Sequence, residues 1–238
     1  MPGLTSYFWH GEVLRSRSVS NMVLSGTVDV PAAPKRLTAD WHREIAVELA
    51  MAPGDVEALP LARSRARARW PDYRRCVQAA CEWTGLIGLP DVLAASEIAL
   101  MACRGARYHH DGAQYSDSAF CNLFLSEDKG FDLHFPVTDQ RIPLVRGTVV
   151  IFDTGQPHAV IRQGSSGFSQ ADFPPNQDDI QVFLSWELPI ENPHVSRALH
   201  IAFDIDVSNA MRLTDQQLLL NGAPVCVCPV SGRWCSAN

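Results

Sequence analysis

Three residues in this chain have the types and spacing for metal chemistry. His109-His110-Asp111 occurs once, and His158 follows 158 − 111 = 47 residues after the aspartate. In an extended strand, side chains alternate faces, so His109 and Asp111 share one face and His110 takes the other. A histidine from a partner strand would then place two imidazoles and one carboxylate on one face of a metal. That set leaves the opposite coordination positions open, which suits Fe(II) and dioxygen. With a divalent ion the site carries a charge of +1. His110 can replace His109 only if the strand is locally bulged. A lone histidine in a strand is more often a hydrogen-bonded structural residue, so the weight lies on the joint pattern. His134, in Phe131-Asp-Leu-His-Phe135, is expected to line a barrel.

The residues around these positions resemble a known family. Glu97-Ile-Ala-Leu-Met-Ala-Cys-Arg-Gly-Ala-Arg-Tyr-His-His-Asp-Gly112 looks like the two strands that deliver the His-x-Asp of the Fe(II)/2-oxoglutarate dioxygenases. Phe120-Cys-Asn-Leu-Phe-Leu-Ser126 is similar to the next strand of their barrel. Pro143-Leu-Val-Arg-Gly-Thr-Val-Val-Ile-Phe152 is similar to the strand before their distal histidine, which His158 then matches. The resemblance covers roughly residues 97–190 and is nearest the prolyl-4-hydroxylase-like branch. It implies a double-stranded β-helix (a jelly-roll, cupin-like core) holding Fe(II), with 2-oxoglutarate and O2 as co-substrates. The implied reaction is oxidation, typically hydroxylation, of a C–H bond in a small-molecule or amino-acyl substrate, with release of succinate and CO2. Because Asp111 is a carboxylate and not alanine or glycine, chloride has no ligand position, which disfavours halogenation.

The family anchors the far carboxylate of 2-oxoglutarate with a basic residue at the start of its last barrel strand. The matching segment here, Ile180-Gln-Val-Phe-Leu-Ser-Trp-Glu-Leu188, has none. Arg162 is the expected substitute, since His158, Val160 and Arg162 alternate onto one face and a guanidinium suits a bidentate carboxylate bond. Arg104, Arg107 and Arg146 are further candidates. Asn122 and Ser185 are expected to hydrogen-bond the co-substrate.

These residues need a scaffold, and the chain has the length and composition for one. It has 238 residues, 46% of them apolar and 19% charged, as in folded globular proteins. No run approaches the ~18 apolar residues of a membrane span. The amino-terminal sequence lacks a secretory pattern, so a cytoplasmic location is expected. Up to about residue 95 the pattern is mixed, then mainly helical. Thr38 can cap a helix from Ala39 to about Met51, with Trp41, Ile45 and Leu49 on one face. Pro71 suits the start of a second helix and Gly85 its end. From Glu97 the pattern turns to strands, expected at 97–103, 106–111, 120–126, 131–135, 148–153, 158–162, 180–188 and 199–206. The reading is a mainly β fold with N-terminal helices: a helical support over 1–96, a catalytic core over 97–206 and an extension over 207–238 with one helix and a loop or hairpin, packed as one domain. The polar stretch 163–179 is long enough to be a lid, with Phe168 and Phe173 to close over a bound molecule.

The net charge of −6 argues against general nucleic-acid binding. Six arginines, at 63, 65, 67, 69, 74 and 75, fit a solvated helical face or a docking patch for an acidic partner. The odd count of seven cysteines fits reduced thiols. Cys226, Cys228 and Cys235 are either ordinary thiols or zinc ligands, with a C-x-C spacing tighter than the usual one and no fourth ligand evident nearby. Three other readings stay open: a cupin-like metalloenzyme without 2-oxoglutarate, a non-catalytic ligand-binding barrel, and an oxygenase acting on nucleic acid. Substrate identity and oligomeric state are not legible.

Overall fold

Strand alternation organises this molecule into two cores, one on each side of a central sheet. The computed structural model describes residues 3–59, 69–174 and 177–236. The central sheet has six antiparallel strands in the order β3 (Val23–Thr27), β10 (Thr148–Asp153), β7 (Ser118–Phe124), β12 (Gln181–Pro189), β5 (Ile98–Cys103) and β4 (Val56–Leu59). A four-stranded antiparallel sheet runs β6 (Ala106–His109), β11 (His158–Arg162), β8 (Phe131–Phe135) and β9 (Gln140–Pro143). A five-stranded sheet joins the ends of the chain, in the order β15 (Trp234–Ser236), β14 (Ala223–Val227), β13 (Gln217–Leu220), β1 (Leu4–His10) and β2 (Val13–Ser18). The fold is thus mainly β, built of antiparallel sheets in an order consistent with a jelly roll.

The two-residue period decides which side chain enters which core. On β12, Val182, Leu184, Trp186 and Leu188 enter one cluster, while Phe183 enters the other. On β7, Ala119, Cys121 and Leu123 face the first cluster and Phe124 the second. On β10 the split is Val149 and Ile151 against Val150 and Phe152. The first cluster lies between the central sheet and the helices. Helix α1 (Lys35–Glu44) contributes Leu37 and Trp41, and helix α2 (Tyr73–Leu86) contributes Tyr73, Cys76 and Ala80. The second cluster fills the space between the central and four-stranded sheets with Phe124, Phe131, Phe135, Phe152, Phe173 and Phe183. At roughly 25 cal/mol per Å² of apolar surface removed from water, these aromatic side chains are the largest single contributors to holding the two sheets together.

Seven of the eight expected strands are present, three with the expected ends and four with ends shifted by one or two residues. The eighth, 199–206, is absent. Asn192 accepts the His194 N–H and Pro193 opens a short helix, Pro193–Ala198. Beyond it, His200 and Asp204 adopt φ of 54° and 56°, which breaks an extended path, and only Phe203 forms a bridge, to Arg17. The strand β9 was not expected. The N-terminal segment carries four strands as well as helices, so it extends the central sheet at both edges instead of only supporting it. Helix α1 begins at Lys35, four residues before the expected start. Pro34 sits at its cap, and the Thr38 hydroxyl donates to the Pro34 carbonyl instead of capping. The stripe is as expected: Trp41 and Ile45 are buried and Leu49 packs beside them. Helix α2 ends one residue past Gly85, and Gly88, at φ 85°, turns the chain. The C-terminal segment holds a helix at Val207–Ala210 and then the β13–β14–β15 hairpins. Arg63, Arg65 and Arg67 lie outside the described residues. Arg69 pairs with Asp40 and Arg75 with Asp72.

Candidate metal centre

His109 ends β6 and His158 opens β11, and the antiparallel register makes them direct partners. Their ring centroids are 4.4 Å apart. A register shift next to this pair, with Val160 facing Ala106, marks a bulge. Bulges re-aim side chains at sheet ends and often adjoin functional sites. Asp111 lies two residues past His109, fixed by its backbone N–H donating to the Thr154 carbonyl at 2.8 Å. The three side chains converge. His109 Nε2 is 3.6 Å from Asp111 Oδ1, and His158 Nε2 is 3.5 Å from Asp111 Oδ2. One donor atom from each lies within 4.8 Å of the others, the only such group of three metal-capable side chains among the described residues.

Each imidazole is held by its other nitrogen. His109 Nδ1 donates to the Arg107 carbonyl at 2.7 Å, and His158 Nδ1 to the Gln156 carbonyl at 3.0 Å. A carbonyl can only accept, so both imidazoles carry a proton on Nδ1, and both Nε2 atoms face Asp111. This is the tautomer a metal needs, and such carbonyl partners commonly fix ligating histidines. Burial, followed by the nearby His109, pulls His158 well below the usual histidine pKa. It is therefore neutral and ready to ligate. Burial raises the Asp111 carboxyl, with His109 and His110 opposing. A cation at the centre would oppose that rise more strongly.

His110 takes no part. Its ring lies on the opposite face, against Trp234 with centroids 5.5 Å apart. His134 also departs from expectation. On β8 it is Phe131, Leu133 and Phe135 that point into the space between the two sheets. His134 faces outward, with Nδ1 2.6 Å from the Tyr108 hydroxyl and Nε2 3.2 Å from Asp139.

A cavity of about 380 Å³ opens beside the three residues. Phe120, Phe124, Phe152, Leu133 and Phe183 form its apolar walls. Asn122 and Ser185, opposite each other across the β7–β12 ladder, both line it. Asn122 is 8% exposed, and its Oδ1 has no hydrogen-bond partner. A buried amide oxygen without a partner normally costs about 1–3 kcal/mol. The rim carries Gln114, Tyr115, Glu97 and Glu187. Among the described residues, no lysine or arginine lines this cavity.

Arg162 is correspondingly placed elsewhere. β11 runs away from the site, so four residues at about 3.3 Å each put Arg162 roughly 13 Å from His158 along the strand. Its guanidinium lies over the Phe131 ring, donates to the Asp172 carbonyl at 2.8 Å and sits 3.8 Å from Asp179. Arg162 thus braces the loop beyond the far end of β11, contrary to the expected anchoring role. Arg104 is likewise bound to the Phe173 and Pro174 carbonyls, and Arg146 to Glu127. Only Arg107, of these four, shares a hollow with His109 and Asp111, lined also by Gly54, Asp55, Val56 and Glu57.

The same strand direction corrects the reading of 163–179 as a lid. The loop follows the end of β11 distant from His158, and none of its described residues lines the cavity. Phe173 is 2% exposed and stacks on Phe131 at 5.1 Å and on Phe168 at 5.5 Å. The described loop residues pack against the second cluster through Phe173 and along β6 through Phe168, which lies under the Arg107 guanidinium.

One important feature gave no signal in the sequence. Arg17 and Asp153 are both fully buried and bonded at 2.7 and 3.0 Å. They tie β2 to the end of β10, immediately before Thr154. An arginine in a β2 of alternating polar residues reads as exposed, and its partner lies 136 residues on.

Comparison with known proteins adds little. No family model matches the chain, and no curated protein matches it. Similar solved structures include a truncated viral collagen prolyl hydroxylase from Paramecium Bursaria Chlorella virus-1, at 10% identity, covering 70% of this chain and 89% of that one with a TM-score of 0.37. A prolyl-4-hydroxylase from Pseudomonas putida is 16% identical over 70% of this chain and 92% of its own, with a TM-score of 0.37. EvdO2 from Micromonospora carbonacea var. aurantiaca, solved with 2-oxoglutarate, is 15% identical over 72% and 97%, with a TM-score of 0.39. At such identities and TM-scores, these likenesses carry no weight for the chemistry of this chain.

Proposed function

We propose that this chain is a mononuclear non-heme Fe(II) oxygenase that oxidises a C–H bond of a small-molecule or amino-acyl substrate bound in the cavity beside His109, Asp111 and His158. The observation that carries this reading is the convergence of two correctly protonated imidazoles and one carboxylate at the edge of an apolar cavity. The order β10-β7-β12-β5 against β6-β11-β8-β9 favours a double-stranded β-helix over β5–β12 as the scaffold. The donor set fits Fe(II) and leaves coordination positions open. When bound, the iron would supply the redox chemistry with dioxygen. The chain supplies the rest. Arg107 and Gln156 carbonyls hold the imidazole protons, and the Thr154 carbonyl holds the backbone of Asp111. The phenylalanine walls keep water from the reacting position. Asn122 and Ser185 orient the bound molecule by hydrogen bonds.

2-Oxoglutarate as co-substrate fits less well. Among the described residues its far carboxylate would meet no cation in the cavity, and the two rim carboxylates would repel it. The reading therefore rests on Arg107, reached through the hollow next to the metal positions. The two rim carboxylates, Glu97 and Glu187, favour the second reading, a metalloenzyme of the same fold that acts on its substrate without 2-oxoglutarate. Anaerobic Fe(II) titration with and without 2-oxoglutarate separates the two by the visible metal-to-ligand charge-transfer band of a chelated 2-oxo acid. If 2-oxoglutarate binds, Arg107→Ala should weaken it by about 10- to 150-fold, the worth of a 1.5–3 kcal/mol charged hydrogen bond. No band at millimolar 2-oxoglutarate, in a protein that binds Fe(II), eliminates the co-substrate and retains the metal.

A further inference from the structure

The seven cysteines divide into two groups. Cys76, Cys103 and Cys121 are buried and Cys81 half-buried, all within the body of the protein. Burial raises their thiol pKa values, to about 12 for Cys76 and Cys103, which makes them unreactive. Cys226, Cys228 and Cys235 are at the surface of the C-terminal hairpin. Cys226 on β14 and Cys235 on β15 are direct antiparallel partners. Such partners have Cα atoms about 4.5–5.5 Å apart, inside the range a disulfide accepts. Their sulfurs are 2.7 Å apart, closer to a covalent bond of about 2.05 Å than to an ordinary contact between reduced thiols. The next residues along, Val227 and Trp234, are also paired, so the register holds on that side.

We propose that Cys226 and Cys235 are a disulfide site, closed by thiol–disulfide exchange with a low-molecular-weight disulfide such as glutathione disulfide. One thiolate attacks the small disulfide, forming a mixed disulfide and expelling one small thiolate. The second cysteine thiolate attacks the protein sulfur of that mixed disulfide and expels the other. The two protein thiols are oxidised, the small disulfide is reduced to two thiols, and the two protons leave on them. Because the pair is already juxtaposed, closure requires no strand movement.

The bond would act on a structural element next to the candidate metal centre. The hairpin covers the outer face of β6. The Tyr108 N–H donates to the Pro229 carbonyl, Val227 packs with Tyr108, and Trp234 lies on His110. Gly232 sits so close to Tyr108 and Pro136 that a Cβ there would collide with both. Linking β14 to β15 therefore holds the support behind the strand that ends at His109. This inference concerns the hairpin and stands apart from the iron reading.

The experiment compares intact mass, free-thiol count and peptide map of the full chain after glutathione disulfide and after dithiothreitol. The expected oxidised product is two hydrogens lighter, has five thiols instead of seven, and yields one peptide linked through 226 and 235. Cys228→Ser should form the same product, and Cys226→Ser or Cys235→Ser should not. The thermal midpoint of the wild type should be higher oxidised than reduced, a difference lost in Cys235→Ser. An unchanged mass, a link through Cys228, or covalent dimers in place of the internal bond would overturn the proposal.

Discussion

Asp153→Ala is expected to be among the most damaging single changes in this protein, although it touches no cavity. Asp153 accepts hydrogen bonds from Arg17 Nη1 and Nη2, from the Ser20 N–H at 2.8 Å and from the Gly155 N–H at 2.9 Å. Both side chains of the ion pair are 0% exposed. Alanine leaves a guanidinium charge in a dry interior, retaining only the Ser116 and Ser18 carbonyls as partners. It also leaves two buried N–H groups without acceptors. Breaking a buried pair in this way costs about 3–5 kcal/mol. For a chain of this size each kcal/mol moves the thermal midpoint by roughly 2–4 °C, so the expected fall is about 6–20 °C. Asp153 also precedes Thr154, which positions Asp111, so Fe(II) affinity should weaken with stability. The double variant Arg17→Met/Asp153→Asn removes the stranded charge and keeps an acceptor for the backbone, so it should recover part of the loss. Calorimetry or urea unfolding of the three proteins decides. A fall below about 1 kcal/mol in Asp153→Ala, or a double variant as unstable as the single, would refute the assignment of this pair as a buried tie.

Two further outcomes follow from the same geometry. Phe173→Ala removes a 2% exposed ring from the second cluster and should cost about 3–5 kcal/mol in unfolding experiments, with Fe(II) affinity preserved; a mobile lid residue would show little stability loss. Burial pulls His110, His134 and His158 below the usual histidine pKa, so in metal-free protein the unfolded chain binds protons that the folded chain refuses. Stability is therefore intact above about pH 6.5 and declines as pH falls through that value. Unfolding midpoints measured from pH 7.5 down to 5.5 check the sign, and a midpoint that rises on acidification contradicts it.

The site was legible in the sequence wherever chemistry and local period coincide. His-x-Asp in a strand states its own geometry, and the apolar run 148–152 before His158 states the strand that delivers it. What could not be read depends on direction and distance along the fold. Arg162 shares a face with His158, but a strand carries same-face residues steadily away from one another, so the arginine reaches the far end of β11. The lid reading of 163–179 failed for the same reason. The N-terminal strands escaped notice although β1 and β2 form a local hairpin around Gly11; their other pairings are remote, β1 with β13 across more than 200 residues, and no local pattern announces those. Strand 199–206 was expected from its apolar residues, and Leu199 and Ile201 are buried while Ile205 is exposed, in an irregular segment after a helix.

The central claim is that His109, Asp111 and His158 bind one Fe(II). Anaerobic titration of the metal-free protein, followed by calorimetry or by equilibrium dialysis with iron analysis, tests it directly. The wild type should bind one equivalent. His109→Ala, Asp111→Ala and His158→Ala should each lose most of that affinity while remaining folded by circular dichroism, and His110→Ala should retain it. Binding that survives in all three ligand variants, or that is lost in His110→Ala with His109→Ala unaffected, would contradict the account.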